Sequence, residues 1–288
     1  MRADYPELAV SGERELKISE ILMTALKILG KRFWSFLLLV PMFYLPAQAV
    51  LGYVSYTMPD LSAIEDLLAF AEAYAEAVFP TVCWSAGLEF FTLIGVLTAV
   101  TLTYSEIYTD EEKPSFGAAL YRAIRRWPAA AVTLLVLGFG LLTCVLASSA
   151  LVAVLPGLIL LVLPFLLFYL LFFGLMKNAS AVVAIHTGFA AWKNTACVNM
   201  LFRERFSRVM GVFLALAAVA ELPRYLISLL ASLLLEMLES TMLAQIISVV
   251  LSALLALFSV FLVICTVLLV NNYGDMQTRK LRGEEEDG

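Results

Sequence analysis

From Trp127 to Met176 the chain runs for fifty residues without one charged side chain. As a single α-helix that stretch would measure about 75 Å, more than twice the roughly 30 Å of hydrocarbon in a bilayer. It therefore has to fold back on itself inside a membrane. Pro156-Gly157, a pair that punctuates helices, marks the expected turn between Ser148 and Gly157. The rest of the chain agrees: 62% of residues are hydrophobic, 15% are charged, and mean hydropathy is +0.91. Soluble domains carry about a quarter charged residues, so the 288 residues suit one polytopic membrane domain.

Four further apolar runs are each long enough to cross a bilayer, which needs about 20 residues. The expected spans are residues 33–56, 81–104, 128–148, 154–176, 209–235 and 243–271. A tail and interfacial helix over 1–32 precede them, and a charged tail over 272–288 follows. Trp34, Trp84 and Trp127 fall at span ends, where amphipathic rings favour the membrane–water boundary. The polar residues 1–17 and the late, long first apolar run do not read as a cleaved secretory signal.

Eighteen of the nineteen Lys and Arg residues lie in four blocks, Arg2–Arg32, Lys113–Arg126, Lys177–Arg208 and Arg279–Arg282. The connections around 57–80 and 236–242 hold no basic residue and seven acids: Asp60, Glu65, Asp66, Glu72, Glu76, Glu236 and Glu239. Basic loops are retained in the cytoplasm, so both termini and the two basic loops are expected there. The net charge of −5 gives no reason to expect nucleic acid as a partner.

Three segments before odd-numbered spans share a helical spacing of apolar residues with basic ends. They are Ile18–Arg32 with Lys27, Lys31 and Arg32; Ser115–Arg126 with Arg122, Arg125 and Arg126; and Gly188–Arg208 with Arg203, Arg205 and Arg208. A basic amphipathic helix lies in the membrane surface against anionic headgroups, so membrane lipids are expected partners. The fold class expected is all-α: six transmembrane helices in three parallel hairpins, each preceded by a cytoplasmic interfacial helix. The loop Pro59–Pro80 also has helical spacing and is expected to form a short helix over the outer surface.

Several stretches resemble a known family. They are Ile18-Ser19-Glu20-Ile21-Leu22, Glu112-Lys113-Pro114-Ser115-Phe116-Gly117-Ala118-Ala119-Leu120, Pro156-Gly157, Gly188-Phe189-Ala190-Ala191-Trp192-Lys193-Asn194 and Asn272-Tyr273-Gly274-Asp275-Met276-Gln277-Thr278-Arg279. Together they are similar to the six-span membrane domain attached to some bacterial glycerophosphoryl diester phosphodiesterases, and to its stand-alone relatives. The resemblance implies a bacterial cytoplasmic-membrane protein. In two-domain members the phosphodiester chemistry belongs to a separate soluble barrel, and only seventeen residues follow Asn271 here. The resemblance thus carries a fold and topology and no activity.

Catalytic motifs are missing from the sequence. There is one histidine, His186, and no zinc, nucleophile-elbow or phosphate-loop pattern. The cysteines Cys83, Cys144, Cys197 and Cys265 have no ligand spacing, so no metal or cofactor is expected. Asn178-Ala179-Ser180 spells a glycosylation acceptor but falls on the cytoplasmic side. What stands out is charge inside apolar runs: Glu89 in the second span, Glu221 and Arg224 in the fifth, with Pro223 between the latter two as an expected kink. A charge at the bilayer centre costs about 2.5–3.5 kcal/mol on insertion scales, so such residues turn inward and pair. They fit either a structural ion pair or a polar substrate or ion site. Two functions follow. One is a non-catalytic accessory subunit that binds a lipid, peptide or protein partner. The other is a transporter or permease subunit working with a separate ATPase.

Overall fold

A computed structural model describes Tyr5, Leu8 and residues 13–57, 67–108, 113–154, 159–187, 206–236 and 241–286. Those residues are helical almost throughout, with no strand among them. The elements are α1 (Ile18–Lys31), α2 (Phe33–Leu37), a π-helical turn (Val40–Tyr44), α3 (Leu45–Thr57), α4 (Leu67–Tyr108), α5 (Phe116–Val154), α6 (Ile159–Thr187), α7 (Phe206–Glu236) and α8 (Thr241–Glu286).

Four helical stretches among the described residues are long and apolar enough to cross a membrane: Phe33–Val54, Gly87–Ile107, Phe206–Ala231 and Ile246–Met276. The second and fourth are 72% buried inside the protein and the other two 22%, so α4 and α8 form the centre and α7 lies at the periphery. Consecutive helices pack together along α4–α5–α6 and again as α7–α8. Helix α8 also touches α1, α3, α4 and α6. The core between them is built from Leu93, Leu97 and Val100 of α4, Leu175 and Val182 of α6, Leu216 of α7 and Val260 and Ile264 of α8. Buried hydroxyls in this core satisfy themselves locally. Thr98, Thr101, Thr103 and Thr266 each donate at 2.8 Å to a carbonyl four residues back in their own helix. An unpaired donor would be costly where water is excluded.

Two sequence expectations change. Ser115–Arg126 is not a separate interfacial helix: α5 runs unbroken from Phe116 through Pro128 to Val154. Nor is the described part of the outer segment a separate short helix, because α4 is continuous from Leu67 to Tyr108. Apolar periodicity continues across both joints, and a proline in a chain packed on its neighbours need not end a helix. Gly188–Arg205 lies outside the described residues.

Helix α1 does form as expected. Its Ile21, Ala25 and Ile28 are fully buried against the protein, while Ile18, Met23 and Leu26 stay exposed. Its start is capped by Glu20, which accepts the Lys17 backbone N–H at 2.8 Å and pairs with Arg14 at 2.7 Å. The Arg14 hydrogen bond first, and the Lys17 N–H second, pull the Glu20 carboxyl down to about 2.

Candidate functional site

The charges expected in the spans form two pairs, Glu89 with Lys177 and Glu221 with Arg224, and Tyr44 lies near both. Pro41 has no N–H to give, and the chain there widens into the π turn, in which the Leu45 N–H reaches the Val40 carbonyl. Phe43 then packs on α4, 5.4 Å from the Phe91 ring, close to Gly95. A Cβ at Gly95 would meet the Phe43 ring at 3.2 Å, so glycine is what permits this approach. The next residue, Tyr44, lies within Coulombic reach of Glu89, Arg224 and Glu221 together.

Glu89 pairs with Lys177 of α6, a residue counted by the sequence pattern in a basic loop. Glu221 and Arg224 pair with each other at 2.9 Å across three residues of α7, which continues unbroken through Pro223. Ser259 of α8 closes a triangle: its Oγ accepts from Arg224 at 2.9 Å and donates to Glu221 at 3.1 Å. Pro223 offers no N–H to the Val219 carbonyl, which leaves one polar backbone group at this level without its helical donor.

None of this cluster is sealed. The side chains of Glu89, Glu221 and Arg224 are 50%, 40% and 34% exposed, and only Lys177, at 17%, is largely covered. Leu222, Tyr225 and Leu226 of α7 and Leu254 of α8 stand exposed within two turns of it. The arrangement therefore offers two carboxylates, two cations and hydroxyls from Tyr44 and Ser259 between apolar walls. Among the described residues no group of three or more His, Cys, Asp or Glu is placed to hold a metal.

At the opposite end of these helices the basic residues gather, and we call it the basic end. Glu106 of α4, fully buried, accepts from Arg32 Nε at 2.8 Å and Lys113 Nζ at 2.6 Å, with Lys31 at 3.9 Å. Arg32 also donates to the Pro114 carbonyl at 2.9 Å. Lys31 and Arg32, expected on lipid headgroups, thus tie α1 to the α4–α5 connection. Arg208 pairs with Glu15. Arg122 and Arg125 are exposed and Arg126 is half-buried on α5, Lys27 is exposed on α1, and Arg203 and Arg205 lie outside the described residues. His186 pairs through Nδ1 with the Tyr104 hydroxyl. Trp127 donates to the Phe90 carbonyl at 2.8 Å and packs edge-on against the Phe90 ring.

Sequence reasoning passed over Glu106, Lys177, Ser259 and Tyr44. Glu106 carried the one available signal, an acid at the end of an apolar run with basic blocks on either side in sequence. No family model, no curated protein and no solved structure matches the chain, so nothing among them identifies a relative of the glycerophosphoryl diester phosphodiesterases.

Proposed function

We propose that the chain is a non-catalytic, six-span protein of the bacterial cytoplasmic membrane, with the basic end in the cytoplasm. On this reading it is an accessory subunit that binds an amphipathic partner, a lipid or peptide, at the Tyr44 cluster. Helices α5 and α6, 39 and 29 residues long and uncharged from Trp127 to Val154 and from Ile159 to Met176, supply on this reading the two spans beyond the four apolar stretches above. The observation that carries the binding role is the exposure of the cluster. A charge pair whose task is to hold helices together should be desolvated and enclosed; one left open between apolar walls suits a ligand with a polar head and an apolar body.

The test is native mass spectrometry of the protein purified in mild detergent, beside the Glu221→Leu/Arg224→Leu double variant. Wild type should carry a bound lipid or peptide that the double variant loses while its melting temperature holds. An unchanged set of bound molecules in the double variant would contradict the reading.

A permease subunit is the second reading, favoured by Pro223 and the π turn, which break the regular backbone ladder at the level of the cluster. Transport sites are often built at such interruptions. An ATPase that co-purifies in the same experiment would favour it.

A further inference from the structure

Building on the binding role assigned to the Tyr44 cluster above, we propose that its ligand is a lipid with a zwitterionic head, a primary ammonium joined to a phosphate. Each ion pair of the cluster is closed on one side only. Lys177 Nζ donates to Glu89 Oε2, and Glu89 Oε1 has no partner among the described residues. Arg224 donates through Nη1 to both Glu221 Oε2 and Ser259 Oγ, at 2.9 Å each, while its Nε and Nη2 are unbonded among the described residues. Glu221 is satisfied by contrast, since its second oxygen accepts from Ser259 at 3.1 Å. The cluster thus keeps an open acceptor at Glu89 and an open fork of donors at Arg224. Both are reachable: the two side chains are 50% and 34% exposed.

Charge narrows the choice of ligand. Two carboxylates stand against two cations, so the cluster as a whole is neutral. A net anion would meet the Arg224 donors but press its surplus charge on Glu89 and Glu221. A net cation would meet Glu89 and leave the Arg224 donors empty. A zwitterion fills both open places and breaks neither pair. Its ammonium donates to Glu89 Oε1, and its phosphate accepts from the planar guanidinium fork, which suits that oxyacid. Glu89 and Arg224 both lie within Coulombic reach of Tyr44, so the two open groups belong to one neighbourhood. Residues 57–80 and 236–242, which join the helices of the cluster, hold seven acids and no base, a field that disfavours a net anion.

The ammonium has to be primary, because a trimethylated nitrogen has no N–H to give a carboxylate. The body has to be apolar, because the exposed neighbours Leu222, Tyr225, Leu226 and Leu254 offer nothing polar beyond one phenol.

The experiment is native mass spectrometry of the full chain released from nanodiscs of equal parts phosphatidylethanolamine, phosphatidylcholine and phosphatidylglycerol, all with the same acyl chains. Their heads are an ammonium zwitterion, a trimethylated zwitterion and an anion. Wild type should retain the ethanolamine lipid about tenfold over either of the others, the size of one charge-assisted hydrogen bond. Glu89→Gln should abolish that preference and turn it towards phosphatidylglycerol, because the cluster then carries an unmatched cation. A fall of all three lipids together in this variant, or a preference left intact, would overturn the place of the ammonium at Glu89. Equal retention of the three lipids by wild type, or retention led by phosphatidylglycerol, would overturn the zwitterion and leave the binding of an amphipathic partner standing. Selective retention that survives in the Glu221→Leu/Arg224→Leu variant would put the lipid elsewhere and overturn both. Excess soluble phosphoethanolamine should not displace the lipid; displacement would overturn the choice of a lipid and assign the site to a free zwitterion.

Discussion

At the scale of the residue, the burial of charge decides how much each ion pair matters. Glu106 has no exposed side-chain surface and three cations around it, so Glu106→Gln leaves the largely buried Arg32 guanidinium short of a counter-charge. Breaking a buried pair from one side costs about 3–5 kcal/mol, and thermal melting in detergent should register a loss of that size. Lys113, 38% exposed, is the weaker partner, and Lys113→Ala should cost no more than about 1 kcal/mol. Glu221 and Arg224 follow a related rule. Each single replacement, Glu221→Leu or Arg224→Leu, strands the other charge, so both should melt below the double replacement. Equal melting of parent and single variants would mean that the pair is not held in an apolar setting. Glu89, Glu221 and Arg224 were legible in the sequence because a charge in an apolar run is conspicuous. Lys177 was hidden because it opens a basic block, and Ser259 because a serine in a span has many ordinary explanations.

At the scale of the element, α1 shows how a helix start is held by charge. The Glu20 carboxyl is depressed in the folded protein, so its contribution is present above the ordinary carboxylate range and is lost as pH falls towards about 2. Glu20→Gln should therefore melt below the parent at neutral pH, and the gap should close as both are acidified to that point. A gap independent of pH would assign the effect to packing. Close approach sets the other limit. Gly95→Ala would press on the Phe43 ring, and overpacking of this kind typically costs about 1–3 kcal/mol, read again as melting. The sequence pattern located α1 because Ile18, Ile21, Leu22, Ala25, Leu26 and Leu29 have helical spacing; of these Ile21 and Ala25 are buried, joined by Ile28, while Ile18 and Leu26 stay exposed. It misplaced the ends of α4 and α5 because hydrophobic spacing continues through Pro128 and across residue 80, and periodicity alone carries no information on where a continuous helix leaves the membrane.

At the scale of the whole molecule, the alternation of basic blocks and apolar runs has a structural counterpart. Arg32, Lys113 and Arg208 come from three of the blocks, and their contacts with Glu106 and Glu15 draw them to one end of the bundle. What the alternation does not encode is how the helices neighbour one another. Helix α8 becomes the hub because its apolar surface continues on all sides, whereas α7 has little covered surface and stays outside. The central proposal is that the chain crosses the membrane six times with the basic end in the cytoplasm. Labelling intact cells with an impermeant thiol reagent tests it directly, using single cysteines in a cysteine-free background. Cysteines replacing Ser62 and Glu239 should label from outside, and those replacing Ser115 and Gly283 only after the membrane is opened. Labelling of the Ser115 position in intact cells would contradict the account.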